Sequence, residues 1–475
     1  MDTPLRPRQH HNVTLAILVF AGIAFALQQT MVIPALPVLR ADFGTTTAWA
    51  TWLLTGFLLS ASVAIPILGK LGDQYGKERL LVVSLLIFLL GSLGSAFAWS
   101  IGSLIGFRIL QGAGGAVFPL SFSIIKDEFP PEKVGPAVGT VSAVFAVGGG
   151  LGLVLSGVFI DNLSWRWIFG VGAVAVAVAV VLVYLCVPES PIKTPSRLDV
   201  PGVLLLSAGL LALLLALTEG ESWGWASARI GALFTAAALL LALWGLVEIR
   251  MPAPMVDMRM LANRPVLFAN LTGLIAGFAL FGSFILIPTL LQLPRDAAAY
   301  GFGASATVTG LYLLPSSVTG FVSGPLAGVM SRHVSAKWPL SLGMALGAVG
   351  LGMLAVWDSS PWHIVAGMLV LGAGLPMTFA AMAKVVVDAV RPSETGVATG
   401  MNTVMRTIGG VVGGQVGAAL LTADTISRGV PAESAFVTAF TVGAAGSLVA
   451  ALVALLITPA RRRQRRAPRP VLGVD

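Results

Sequence analysis

The chain has 475 residues, of which 56% are hydrophobic and only 11% charged, with a mean hydropathy of +0.90. Soluble domains carry about a quarter charged residues, so this chain cannot cover itself with a water-facing surface and needs lipid as its solvent. A net charge of +8 invites a nucleic-acid partner, but six of the 29 Lys and Arg fall in one terminal run, Arg461 to Arg469, and most others sit in short loops between apolar segments, which is a pattern of membrane topology. Fourteen apolar segments of spanning length follow one another: 13–38, 48–68, 80–98, 101–125, 134–159, 165–187, 200–218, 228–247, 266–293, 304–330, 338–357, 361–387, 396–421 and 435–458. Each is expected to be a helix, because an open chain in lipid must satisfy every backbone N–H and C=O within itself.

Lys and Arg fall unevenly in alternate loops. One side, with both termini, carries 21, and the other carries five: Arg40, Arg166, Arg229, Arg295 and Arg428. The rich side is expected to be cytoplasmic. The remaining three, Arg108, Lys384 and Arg406, lie within spans. The halves repeat. Val32-Ile33-Pro34-Ala35-Leu36 matches Leu286-Ile287-Pro288-Thr289-Leu290, and Gly69-Lys70-Leu71-Gly72 matches Gly324-Pro325-Leu326-Ala327. Gly135, Gly139, Gly148, Gly149 and Gly152 match Gly396, Gly400, Gly409, Gly410 and Gly413. A duplicated six-helix unit follows: an N-terminal bundle over 1–187, two inserted helices over 188–265, a C-terminal bundle over 266–459 and a basic cytoplasmic tail over 460–475. Parallel repeats of this kind imply two halves that rock about a midplane site. The single cysteine, Cys186, allows no intrachain disulfide and no thiolate cluster.

The motifs come in chain order. The loop after span two reads Gly69-Lys70-Leu71-Gly72-Asp73-Gln74-Tyr75-Gly76-Lys77-Glu78-Arg79. It resembles the signature loop of the major facilitator superfamily, Gly-x-Leu-Ala-Asp-x-x-Gly-Arg-Lys. Physically it suits a cytoplasmic gate formed by Gly69, Asp73, Gly76, Lys77 and Arg79. Glycines let helices approach and turn, Asp73 can face the positive end of a neighbouring helix, and Lys77 and Arg79 can pair with carboxylates across the gate. The second copy has Gly328 at the Asp73 position, so the gate is expected to be asymmetric. Span four carries Arg108-Ile109-Leu110-Gln111-Gly112, similar to the Arg-x-x-Gln-Gly motif of proton-coupled exporters. A guanidinium in mid-span costs roughly 2.5–3.5 kcal/mol. Arg108 and Gln111 therefore face a polar interior, or Arg108 is tied to backbone carbonyls of span one.

Gly148, Gly152 and Gly157 in span five lie on a run that resembles the antiporter motif Gly-x-x-x-Gly-Pro-x-x-Gly-Gly, with Leu153 for the proline and Ser156 for a glycine. They read as helix-packing positions. Trp165-Arg166-Trp167 opens span six as an interfacial anchor. Span thirteen has Asn402 and Arg406 four residues apart on one face. Arg406 is either a cavity charge or a partner of the gate. Together with the span count these runs are similar to the fourteen-helix drug:proton antiporter branch of the superfamily. The resemblance implies an all-α major facilitator fold and a secondary active exporter of small amphipathic molecules. It also implies a plasma-membrane location and protons as coupling partner. The chain is expected to be a monomer, with no cofactor, no metal and no nucleic-acid partner.

The branch has an Asp in span one where this chain has Gln28, followed by Gln29. The expected cavity and coupling set is Gln28, Gln29, Arg108, Gln111, Asn402 and Arg406. Glutamine does not titrate near ambient pH, and no Asp or Glu lies inside any of the fourteen segments. Coupling is left to Asp73, to another acid at a span end, or to His363; alternatively the chain is an uncoupled or differently coupled carrier of a lipid-like or metabolic solute. A cavity holding Arg108, Lys384 and Arg406 disfavours permanent cations and suits neutral or weakly acidic amphiphiles. No His-Glu-x-x-His run and no Gly-x-x-x-x-Gly-Lys-Ser/Thr loop is present, which argues against a zinc enzyme and against direct ATP drive.

Overall fold

The computed structural model describes residues 10–45, 47–190, 199–296, 298, 300–356, 360–426 and 430–457. The basic tail 460–475, with Arg6, Arg8, Lys193, Arg197 and Arg428, lies outside them. A helix occupies each of the fourteen apolar segments. They are α1 (His11–Asp42), α2 (Thr47–Tyr75), α3 (Lys77–Ala96), α4 (Ile101–Glu128), α5 (Pro131–Asn162), α6 (Arg166–Cys186), α7 (Val200–Trp223) and α8 (Ala228–Arg250). After a short turn of helix at Met258–Leu261 come α9 (Arg264–Gln292), α10 (Ala306–His333), α11 (Lys337–Ala355), α12 (Pro361–Ala389), α13 (Thr395–Ala423) and α14 (Glu433–Leu455). Among the described residues 13 helices are long and apolar enough to cross a membrane. The remaining one, α9, has 29 residues, about 43 Å of helix against a hydrocarbon core of about 30 Å.

Helix interiors are broken where the sequence says so. In α4, two α-helical stretches are joined by a 3-10 turn at Gly112–Ala116. That turn releases carbonyls from the α ladder, and hydroxyls take them up: Ser60 Oγ donates to Ile109 O at 2.5 Å and Ser84 Oγ to Ala113 O at 2.7 Å. A side chain at Gly112 would stand 2.6 Å from Ser60 Cβ, so only glycine lets α2 and α4 close here.

The first six helices share an aromatic centre, where Phe25 meets Phe57, Phe88 and Phe118 at ring-centroid separations of 6.2, 5.2 and 5.8 Å. The last six bury Leu351, Leu354, Phe436 and Phe440. The most extensive joins between these groups are α5 with α10 and α2 with α13, with α5–α12 and α4–α13 contacts beside them. The α7/α8 hairpin packs beside α2 and α13. Outward faces are apolar: Leu90, Val174, Leu204, Leu239 and Val318 are all exposed, as a lipid-facing surface requires. Exposed Trp49, Trp99, Trp167, Trp338 and Trp362 sit at helix ends, where aromatic rings favour the interface.

Candidate functional site

At the end of the molecule where α2, α4 and α12 finish and α5 and α13 begin, the two groups of helices close on one another. Asp73, on the last turn of α2 and 1% exposed, accepts from Gly396 N at 3.0 Å and Val397 N at 3.3 Å. Those are orphan donors at the start of α13, where the helix dipole favours a negative charge. The close approach depends on glycine, since a Cβ on Gly69 would lie 2.6 Å from Gly396 O. Gly76 turns the chain from α2 into α3 at a φ of +124°.

Lys77 is fully buried, 3.7 Å from Asp73 and 2.5 Å from Asp127, and it also donates to Pro392 O at 3.3 Å. Arg79 pairs with Glu189 at 3.5 Å. The carboxylates of both cations therefore belong to their own half of the chain; the links that cross to the other half are Asp73 with α13 and Lys77 with the Pro392 carbonyl. A further link, absent from the sequence reading, is Lys126 at the end of α4. It donates to Val387 O at 2.5 Å and Val390 O at 2.8 Å and so caps α12. Asp127 Oδ2 also accepts from Ser190 Oγ at 2.5 Å, and its Oδ1 is buried without a partner.

The repeat-related contact differs. Gly328 stands where Asp73 stands, and α10 packs there directly on the backbone of α5: a Cβ on Gly135 would be 2.8 Å from Gly328 O. One interface is therefore held by a carboxylate on a helix terminus, the other by bare backbone apposition.

The span-one and span-four residues meet inside the first six helices. Arg108, fully buried, donates through Nε to Leu53 O at 3.1 Å and through Nη1 to Gln111 Oε1 at 2.7 Å, with its guanidinium 4.4 Å above the Phe57 ring. The carbonyl tie comes from α2, not from span one. Gln111 Nε2 donates to Ser92 Oγ at 2.9 Å. Ser92 Oγ donates to Gln28 Oε1 at 2.8 Å, and Gln28 Nε2 to Phe169 O at 3.4 Å. This chain of amides and hydroxyl links α4, α3, α1 and α6. Gln28 is fully buried in it, where its amide both accepts and donates, as a carboxylate could not. Arg108 Nη2 and Gln29 Oε1 are buried without hydrogen-bond partners.

Asn402 and Arg406 lie on the other side of the molecule. Asn402 Nδ2 donates to Asn270 Oδ1 at 3.0 Å and Ala269 O at 3.3 Å, tying α13 to α9. The Arg406 guanidinium sits 4.6 Å from the Phe379 ring centroid. Both line a narrow pocket between the halves, with Phe118, Phe122 and Phe379 as its aromatic wall and Thr399 and Thr403 as hydroxyls. The expected cavity set thus divides: Asn402 and Arg406 line this space, while Gln28, Arg108 and Gln111 form the network within the first six helices. The cavity phenylalanines were not singled out from sequence; Phe118 and Phe122, one turn apart after the glycine-rich 3-10 turn, were the available signal. Of the packing glycines, Gly148 and Gly152 lie against α1 and Gly157 against Thr307 of α10.

Comparison with known proteins agrees with this architecture. The family model described as Major Facilitator Superfamily matches residues 18–414 and 271–473. A multidrug resistance protein B homolog of Mycobacterium tuberculosis is 32% identical over 390 residues, covering 80% of this chain and 71% of that one. Multidrug resistance protein 3 of Bacillus subtilis is 28% identical, covering 84% and 77%. The tetracenomycin C resistance and export protein of Streptomyces glaucescens is 26% identical, covering 81% and 71%. Among solved structures, the human organic anion transporter MFSD10 (TETRAN) superposes with a TM-score of 0.65 at 14% identity, over 94% of this chain and all of that one, which speaks to fold. Membrane-spanning helices, paired halves and a family match over most of the chain lead to one conclusion: the chain belongs to the Major Facilitator Superfamily and is a multi-pass membrane transporter, not an enzyme.

Proposed function

We infer that this transporter exports small amphipathic molecules, of the kind carried by drug and antibiotic efflux proteins, across the plasma membrane by alternating access. The carrying observation is the cavity between the halves, with Arg406 and three phenylalanines in its wall, beside an end closed by Asp73 on the α13 terminus. The residues 1–187 and 266–459 act as the two rocking bundles, with 188–265 as the insert. Both termini lie in the cytoplasm, by the asymmetry of Lys and Arg, so the closed end is the cytoplasmic gate. The printed names of the relatives support export: multidrug resistance in two bacteria and antibiotic export in a third.

The cavity wall selects the cargo. Among its described lining residues Arg406 is a cation and none is an acid. Aromatic faces take an apolar body, and the guanidinium takes a carbonyl or anionic group. Neutral and weakly acidic amphiphiles are the substrates, ahead of quaternary ammonium compounds. Proton drive uses Asp73: a proton there removes the charge that holds α13 and loosens the gate. The placement of Gln28 within a satisfied amide network favours a second reading, in which coupling is absent or uses another ion. Expression in bacteria stripped of their own pumps tests the export claim. Resistance to neutral and acidic amphiphiles is expected, the acidic arm being lost in Arg406→Ala; protection confined to quaternary ammonium compounds would contradict it.

A further inference from the structure

The inserted hairpin holds a polar cluster that transport through the cavity does not use. Asp199 caps α7, its Oδ1 accepting from Gly202 N at 2.8 Å. Glu248, near the end of α8, accepts from Trp244 Nε1 at 2.8 Å on Oε1 and from Val256 N at 3.2 Å on Oε2. Both carboxyls are buried, at 4% and 2% exposure. The Asp199 Oδ2 oxygen is buried with no hydrogen-bond partner. It lies near Glu248: Asp199 Oδ2 and Glu248 Oε1 both lie within 2.7 Å of the place where a Cβ on Gly202 would stand. The two oxygens are thus no more than about 5 Å apart, close enough that like charges cannot both persist cheaply out of water.

One proton resolves both difficulties. It cancels one of two adjacent buried charges, and it gives the pair a donor where it has none. Among the described residues, Lys70 of α2 acts on Glu248, Arg250 ends the same helix as Glu248, and Asp257, next to Val256, faces Arg391 at 3.9 Å. Lys70 Nζ donates to Pro254 O at 2.9 Å, so the strap 251–257 is held by the hairpin at Val256 and by the gate helix α2 at Pro254.

We propose that Asp199 and Glu248 are a proton-binding pair at the root of the inserted hairpin, sharing one proton, and that this proton keeps the hairpin and its strap fastened to α2. Loss of the proton places a second buried negative charge beside Lys70, draws its ammonium away from Pro254 O and frees the strap. The site is separate from the cavity and from the Asp73 gate.

Infrared difference titration of the full-length protein in lipid tests this, comparing wild type with Asp199→Asn and Glu248→Gln. A protonated-carboxyl C=O band that vanishes as pH is raised, and is missing from both variants, is expected. A band unchanged in both variants, or no titrating band in the wild type, overturns the proposal. Thermal stability gives a second readout. The folded chain holds one more proton than the unfolded one, so wild-type stability falls as pH rises, and the dependence flattens in the variants. Stability that instead rises with sodium or potassium, and only in the wild type, means that a metal cation fills the gap and overturns the proton assignment. Should a variant fail to fold, carboxyl-13C labelling of aspartate or glutamate in the wild type identifies the band; a titrating band that shifts with neither label refutes the pair.

Discussion

Neutralising Asp73 isolates the strength of the gate. In Asp73→Asn the side chain keeps its shape and one acceptor oxygen, but the charge facing Gly396 N and Val397 N is gone. Hydrogen bonds to a charged group contribute about 1.5–3 kcal/mol each, and the charge–dipole effect at a partly buried terminus reaches about 2 kcal/mol. The amide oxygen retains part of this, so a loss of about 2 kcal/mol is expected. At about 1.4 kcal/mol per tenfold, the closed gate loses about 30-fold in population against the open one. Lys77 keeps Asp127 at 2.5 Å, so the variant does not strand a buried ammonium and should still fold. Spin labels at Tyr75 and Arg332, exposed at the same end on opposite halves, placed in a Cys186→Ser background, report the opening by pulsed dipolar spectroscopy. A new long-distance population in Asp73→Asn is expected. A distribution within twofold of the parent would refute the idea that the carboxylate on α13 holds the gate.

Other substitutions separate roles that the sequence grouped together. Gln28→Ala removes the acceptor of Ser92 and the donor to Phe169 O. It should cost about 1–3 kcal/mol of stability, seen as a lower melting temperature, while substrate affinity measured by fluorescence quenching stays within about threefold, because Gln28 is not in the cavity wall. Arg108→Lys cannot reproduce the paired Nε and Nη1 bonds to Leu53 O and Gln111; a melting temperature and monodispersity equal to wild type in size-exclusion analysis would contradict that role. Arg406→Ala should weaken binding of an anionic amphiphile about tenfold or more and leave a neutral one nearly unchanged, read by direct binding titration. Gly328→Val places side-chain carbon against the Gly135 carbonyl. Greater cysteine labelling of the basic end, with a smaller population of closed gate, is expected.

The fold was legible because lipid leaves few choices: every long apolar run became a helix, and the spacing of Lys and Arg follows the helix ends. The α13 contact of Asp73 was legible for a local reason, an acid beside glycines after a span. The partners of Lys77 and Arg79 were not, since Asp127 and Glu189 arrive from the end of α4 and from beyond α6, and no local pattern links them to α3. Gln28 illustrates the same limit. Its substitution for an expected acid was visible, but the reason, a donor and acceptor chain through Ser92 and Gln111, needs three helices in register. Arg108 and Arg406 looked equivalent as mid-span cations. Packing separates them: one is tied to a backbone carbonyl and an amide, the other stands on an aromatic wall facing the cavity.

Purified protein in sealed vesicles, with a pH difference imposed and a weakly acidic fluorescent amphiphile supplied on one side, measures the central claim directly. Saturable movement of the compound against its own gradient is expected, falling at least tenfold in Arg406→Ala and collapsing when a protonophore removes the pH difference. Movement that merely equalises concentration and ignores both the protonophore and the Arg406 substitution would contradict a proton-driven exporter.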